Sequence, residues 1–557
     1  MDVKISVSRP TWRTHSCVQR PHSWGRVFPV LVRWTTKLKF LVSLDDTKVV
    51  GTDSVSLTTV PAPTCVRPSL GLLRLLRPSL TDVLFAGILL WSFILADGGW
   101  GRLLRDADAG LHIRIGDYIL QTGHIPTTDP FSFTRTGAPW YATEWLSAVL
   151  FSTLNASFGL KGIVFVCGVT IVATLLIILR TCLLAGGNAL LAVLLTLFAA
   201  NASAVHYLAR PHVFTWLFLA ISGWLLMSDR IAPTRRVWLL VPLAALWANL
   251  HGGFAILFLV LGCSVVGPVG KRALLLRYIK LTAACGLACL VNPFGYRLLL
   301  ETIAYLRNGS IRNTVAEFLA PDFRSEAHIY FMALLFAGLA VSGFLLAKRR
   351  AGDALLIIGL AACALTSVRH IPIYAICVVP VIASELTEKW SLWVSRQPRR
   401  STARAIDEMT VSLRDKMRPL SLWTVALLAF LFLAPSAGHW PSDFDSQLFP
   451  VEIETRRGTE MAKARLFTTD QWADYLMYRN PAQRVFLDDR YFYGDRIVND
   501  ALKLMDGRPG WRGVLTSYGI NAVLAPRGTT LSALLADDKG WTLVDRDAVA
   551  MLFRRAD

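Results

Sequence analysis

GLKGIVFVCGVTIVATLLIILR, residues 159–180, carries one cation near each end, Lys161 and Arg180, and no charge between them. A helix of about 20 such residues, rising about 1.5 Å each, matches a hydrocarbon core of about 30 Å. The stretch therefore reads as a membrane-crossing helix. Similar apolar blocks recur on both sides of it, which gives segments 80–97, 159–180, 185–203, 209–227, 236–250, 253–269, 273–291, 328–347, 352–367, 370–386 and 421–436. Over the whole chain of 557 residues, 54% are hydrophobic and 17% charged, against about a quarter charged in a soluble domain. A single-pass anchor is excluded. So is a transmembrane barrel, whose mark is short alternating strands rather than long apolar runs.

The fold predicted is a polytopic α-helical membrane protein of about eleven transmembrane helices with a C-terminal extracytoplasmic α/β domain. Residues 1–79 read as a basic cytoplasmic extension with little order and no secretory signal, or as the result of a start placed too early. Residues 80–436 read as the transmembrane domain, with a first external loop at 98–158. Residues 437–557 read as the extracytoplasmic domain. In that domain, runs at 485–489, 520–526, 541–545 and 548–553 read as strands, and 470–478, 496–506, 511–518 and 529–536 as helices.

The net charge of +19 is a matter of topology, not of nucleic acid. Residues 1–79 hold twelve Lys and Arg against four acids, whereas residues 437–557 hold sixteen against seventeen. With the N-terminus inside, Arg180, Arg230, Arg235, Arg236, Lys271, Arg272, Lys348, Arg349, Arg350 and the basic stretch 389–418 all fall in inside connections. That is the asymmetry of the positive-inside rule, and it puts the first loop and the C-terminal domain on the same outer face. The nine cysteines all lie before residue 378, which leaves no disulfide framework for the C-terminal domain.

The first loop carries the chemistry: RDADAGLHIRIGDYILQTGHIPTTDPFSFTRTGAPWYATEWLSAVLF, residues 105–151. Asp106 and Asp108 directly follow the first span, where a carboxylate is costly unless it lines a cavity or has a partner. Two acids this close suit a general base or a metal site, and equally suit capping of the helix that follows. His112, Arg114 and Asp117 continue into an amphipathic helix with Leu111, Ile115, Tyr118 and Ile119 on its apolar side, predicted to lie along the membrane surface. Glu144 and Trp145 open the next helix.

Further polar groups fall at outer helix ends: His206, Arg210 and His212 in HYLARPH, Asn249 and His251 in WANLHGG, Asn292 in VNPFGY, and Arg369 and His370 in SVRHIP. Together they predict a cavity at the outer leaflet lined by acids on one side and by Arg and His on the other. An arginine there can bind a lipid-linked phosphate, and an Asp opposite can deprotonate an acceptor hydroxyl.

These features resemble the integral-membrane glycosyltransferases of the GT-C superfamily, among them the protein O-mannosyltransferases, the aminoarabinose transferases of lipid A and the oligosaccharyltransferase catalytic subunits. DADAGLHIRIGDYILQTGHIPTTDPFSFT, WANLHGGF, VNPFGY, VRHIPIYAI and VFLDDRYFYGD are similar to a set of bacterial membrane proteins near that superfamily, over roughly residues 80–557. The resemblance implies a hexosyl- or pentosyltransferase of the bacterial inner membrane. Its donor would be a polyprenyl-phosphate-linked sugar and its acceptor a glycan, lipid or protein, with no nucleic acid partner. It implies inversion at the anomeric carbon with an Asp of the first loop as base. That role maps onto Asp108 or Asp106, with Asp108 preferred because it is nearer His112. His112, Arg114, Glu144, Arg210, His212, His251, Arg369 and His370 are the substrate-binding candidates. No cofactor is required by the sequence, and any divalent cation would sit on Asp106 and Asp108. Two other classes stay open: a transporter, which would place polar groups at mid-membrane and repeat its halves, and a non-catalytic envelope-assembly protein.

Overall fold

The computed structural model describes residues 75–266, 272–307, 315–434, 439–490 and 492–556. Residues 1–74 of the basic N-terminal stretch lie outside the described residues, so the reading of 1–79 as a disordered extension falls almost wholly outside them as well. What is described is a largely helical molecule whose C-terminal part carries a small mixed sheet.

Among the described residues, five helices are long and apolar enough to cross a membrane: Leu160–Leu184, Ala189–His206, His212–Ile231, Ile329–Ala347 and Val368–Ser395. The expectation of about eleven spans is corrected to that extent. The apolar segments at 80–97, 253–269, 352–367 and 421–436 form the shorter helices Leu80–Leu95, Gly252–Val266, Ala351–Thr366 and Leu422–Leu433. At 12 to 16 residues such a helix rises only about 18–24 Å. The cause is local. Segment 236–250 opens as a 3-10 turn, Arg235–Leu239, before its α-helix, Leu240–Leu250, and Gly252–Ala255 is a second 3-10 turn. The first helix starts on a capping box, with Ser79 Oγ accepting from Asp82 N and Asp82 Oδ2 from Ser79 N, and finishes in a π-helical turn, Trp91–Leu95.

The C-terminal region holds four strands, β1 (Leu466–Phe467), β2 (Ala522–Pro526), β3 (Trp541–Arg546) and β4 (Ala550–Arg555), in the order β1-β2-β4-β3. β1 runs parallel to β2, and the other two pairings are antiparallel. Helices Asp470–Arg479, Gly494–Met505, Trp511–Ser517 and Thr530–Asp537 match the helical readings. Helix Val451–Ala462 and strand β1 had no counterpart in them. The expected strand 485–489 does not form. Only Val485 makes a bridge, to Ser132, because Asp488 turns its carboxylate onto the Arg490 N–H and guanidinium instead of continuing an extended run.

That bridge ties the first external loop to the C-terminal region, with Phe133 N donating to Val485 O and Val485 N to Phe131 O. Beside it, the buried Arg490 sits among the rings of Phe131, Trp140 and Phe492, at 4.9, 4.4 and 5.0 Å from their centroids. Arg490 is paired with Asp488 at 2.6 Å and with Asp129 at 2.8 Å. The apolar side of the loop helix Asp108–Thr122, predicted to face the membrane surface, is covered by protein. Leu111, Ile115 and Ile119 are buried in one cluster with Ala148 of helix Trp145–Phe158 and with Ala473 and Met477 of helix Asp470–Arg479. Two glycines permit this sandwich. A Cβ on Gly116 would stand 2.1 Å from Ala148 O, and one on Gly110 would stand 2.9 Å from Tyr478 Cβ. Glycine spacing within DAGLHIRIG thus sets how closely the loop helix is gripped from both sides.

Candidate functional site

Chain geometry brings the two acids of the first loop into two separate relays. In the first, Arg210 Nε donates to Asp106 Oδ2 at 2.7 Å, and Arg210 Nη1 lies 3.0 Å from Glu317 Oε1. Glu317 Oε2 is 4.0 Å from Arg369 Nη1, which in turn donates to Tyr305 Oη at 2.9 Å. In the second, Asp108 Oδ2 and His112 Nε2 are 3.4 Å apart, one helical turn along the loop helix. His112 Nε2 is also 3.4 Å from Glu144 Oε2, and Glu144 Oε1 is 3.6 Å from His251 Nε2. His251 Nδ1 accepts from Gly253 N at 2.9 Å and faces Thr215 Oγ1 at 2.8 Å, which puts the ring proton on Nε2, toward Glu144. Trp247 Nε1 donates to Thr215 Oγ1, fixing the hydroxyl.

Burial and charge set the two aspartates apart. Burial pushes Asp106 up to about 7, with Arg210 pulling the other way and Asp108 and Glu317 adding to the rise. Burial works on Asp108 too, but His112 and Arg210 outweigh it and hold this carboxyl well below the usual range. His112 is raised: Asp108 overcomes the cost of burying the imidazolium. Burial raises Glu144, and two arginines draw Glu317 down to about 2 against its burial. Two neighbouring carboxyls of different basicity are what acid–base division of labour needs.

Of the residues named from the sequence, Asp106, Asp108, His112, Glu144, Arg210, His251 and Arg369 fall in these relays. His212 stands at their edge, its Nε2 3.0 Å from His206 O. His370 is beside Arg369 in the 3-10 turn Val368–His370, and its buried Nδ1 has no hydrogen-bond partner among the described residues. Arg114 points elsewhere. It donates to Pro481 O at 3.0 Å and lies 5.1 Å over the Phe131 ring, holding the C-terminal region to the loop. Arg210 is engaged by two carboxylates, so an arriving anion must compete with both.

Sequence reasoning missed Glu317, Tyr305, Thr215, Gln471 and Asp474, whereas Asp489 belongs to the segment DDRYFYGD, which offers Asp488, Asp489 and Arg490 for acceptor recognition. Glu317 is an acid in the stretch between two apolar segments with no motif around it, and only the fold carries it to Arg210. Gln471 reaches the acidic motif from the C-terminal region: Ala107 N donates to Gln471 Oε1 at 2.9 Å. Burial, reinforced by the acids around them, holds Asp474 and Asp489 well above the ordinary carboxylate range. Among the described residues, no group of three or more His, Cys, Asp and Glu has the arrangement to hold a metal ion. Asp106 is matched by Arg210 and Asp108 by His112, so this donor set, as it stands, does not fit a divalent cation.

No family model and no curated protein matches the chain. Solved structures match it by fold. One is the archaeal oligosaccharyltransferase AglB from Archaeoglobus fulgidus in complex with an inhibitory peptide and a dolichol-phosphate, at 12% identity and a TM-score of 0.55. Another is the Archaeoglobus fulgidus oligosaccharyltransferase in the apo form, at 13% identity and a TM-score of 0.53. Each alignment covers 80% of this chain and 69% of the other. The likeness to these two oligosaccharyltransferase structures is one of fold.

Proposed function

We propose that the chain is a membrane glycosyltransferase that moves a sugar from a polyprenyl-phosphate donor to an acceptor at the outer face of a bacterial inner membrane. The observation that carries this reading is the Asp106–Arg210–Glu317–Arg369 relay. It sets a carboxyl of near-neutral pKa and a cation of 29% side-chain exposure on one connected row of charges at the helix ends. A GT-C-like fold agrees with it. An interfacial site is also where a prenyl phosphate presents its sugar.

In the reaction proposed, Asp106 takes the proton from the acceptor X–H, and X attacks the anomeric carbon. The bond from that carbon to the phosphate oxygen breaks with its electron pair staying on the polyprenyl phosphate, and the configuration inverts. Arg369, more exposed than Arg210 at 15%, meets the charge that develops on the phosphate. Asp106 is preferred over Asp108 as base because a proton acceptor works best with a pKa near the working pH. Asp108 is given the task of keeping His112 charged. Glu144 and His251 brace that imidazolium, and His212 and His370 border the site.

The test is transfer from synthetic polyprenyl-phosphate hexoses and pentoses by the full chain in nanodiscs, with Asp106→Asn and Asp108→Asn beside the wild type. Transfer that disappears in Asp106→Asn while donor binding persists supports the reading. Wild-type rates in both variants would refute it.

A further inference from the structure

Ala107 stands between the two aspartates and is fully buried, at the N-cap position of the loop helix, with a side chain that cannot cap. The residue three positions on, whose side chain could reach back to the Ala107 N–H, is Gly110, so this buried N–H needs an acceptor from outside the local chain. That acceptor is Gln471 Oε1, at 2.9 Å, from the first turn of helix Asp470–Arg479. An amide whose oxygen faces an N–H has its nitrogen on the other side. Gln471 Nε2 donates to Asp489 Oδ2 at 2.5 Å. Asp489 is held in turn by its place next to Asp488 and Arg490, the pair locked to Asp129 of the first loop. The C-terminal region thus reaches the acidic motif at the peptide unit between Asp106 and Ala107.

We propose that Gln471 and Asp489 are positioning residues of the acidic motif: a relay Asp489–Gln471–Ala107 N–H sets the angle at which Asp106 and Asp108 face the acceptor. The inference rests on the glycosyl-transfer reading above. Docking of the C-terminal region does not depend on this relay. Leu111 and Ile115 against Ala473 and Met477, Arg114 on Pro481 and Arg490 on Asp129 hold the interface without it. Removing the Gln471 amide therefore leaves the domain in place and frees only the motif backbone.

The experiment uses the full chain in nanodiscs and two readouts, hydrogen exchange of the 105–109 backbone and steady-state transfer. Gln471→Met keeps the length and loses both hydrogen bonds. It is expected to raise exchange at Ala107 and lower kcat by about tenfold or more, a loss of the size that small misplacement of a reacting group produces, with the donor KM within about twofold. Gln471→Glu loses the amide N–H that donates to Asp489 and adds an acid beside one already held above the ordinary carboxylate range, and it is expected to lower kcat as well. The double change Gln471→Glu/Asp489→Asn restores a donor–acceptor pair and is expected to recover kcat to within about threefold of wild type.

Unchanged exchange in Gln471→Met overturns the relay. So does faster exchange with unchanged kcat, or a double variant no better than Gln471→Glu alone. A wild type that transfers no sugar from any donor instead sinks the glycosyl-transfer reading, and the exchange result then still decides whether Gln471 holds the motif.

Discussion

Helix His212–Ile231 has a cluster of charges at each end, about 30 Å apart for twenty residues, and the two clusters are built differently. At its C-terminal end every carboxylate is answered. Asp229, 1% exposed, receives Arg277 Nε at 3.0 Å and Nη2 at 2.7 Å, and also the Thr234 N–H at 2.9 Å. Asp353 is shared by Arg230 and Arg350, and Glu385 by Lys348 and Arg350. At the N-terminal end the network is incomplete. Among the described residues, His112 Nδ1, His206 Nε2 and both oxygens of Asp474 are buried without a hydrogen-bond partner. Matched buried charge makes a rigid clamp. Buried polar atoms without partners are retained at a cost, and under the proposed function this is the end where a ligand completes the set.

The largest effect expected from this difference is on Asp106→Asn, which removes the proposed base while preserving shape. Transfer should fall by roughly 10²-fold or more, the lower range for lost base assistance. In the wild type, kcat/KM should fall away below about pH 7, since Asp106 must be deprotonated to act. A rate independent of pH between 5 and 8 would break the assignment.

Next is the clamp at the other end. Arg277→Leu leaves the Asp229 carboxylate buried and short of its cation, at a cost of about 3 kcal/mol or more in stability. Thermal unfolding should show that loss, and the protein that stays folded should transfer at the wild-type rate. A large loss of kcat without a stability change would erase the distinction between the two ends.

A smaller and more specific effect is expected at Arg210. Gln in its place removes the cation that opposes the rise of Asp106, so the acid limb of the pH–rate profile should move to higher pH. Movement to lower pH, or none, would show that Asp106 does not carry the profile. The smallest is Arg114→Ala, which loses one hydrogen bond to Pro481 O and a stacking contact on Phe131. About 1–2 kcal/mol of stability should go, with the donor KM unchanged. A raised donor KM would restore Arg114 to the binding role that the resemblance implied.

Much of this was legible in the amino-acid sequence, for physical reasons. Apolar runs flanked by arginine report membrane helices because neither charge nor bare backbone is tolerated in hydrocarbon. Asp106 and Asp108 were conspicuous because a carboxylate at the edge of a span demands a partner. His112 was found because it lies one turn from Asp108 on the same helix. Such signals are local, and local spacing is what a sequence displays.

The rest required the fold. Run length overcounts spans, because a 3-10 turn at Arg235–Leu239 or Gly252–Ala255 interrupts a helix without interrupting the hydrophobicity. Amphipathicity could not say what covers Leu111 and Ile115, since lipid and the flank of another helix are equally apolar; Gly110 and Gly116 let protein do it. Asp106 and Asp108 look alike in sequence, and only the placement of Arg210 beside one and His112 beside the other separates their basicities. Sequence alone determined that this chain enters a membrane and that its first loop holds acids. Which acid can act as a base, and that Glu317 and Gln471 stand beside it, was decided by tertiary structure, because pKa and hydrogen bonding depend on neighbours in space rather than along the chain.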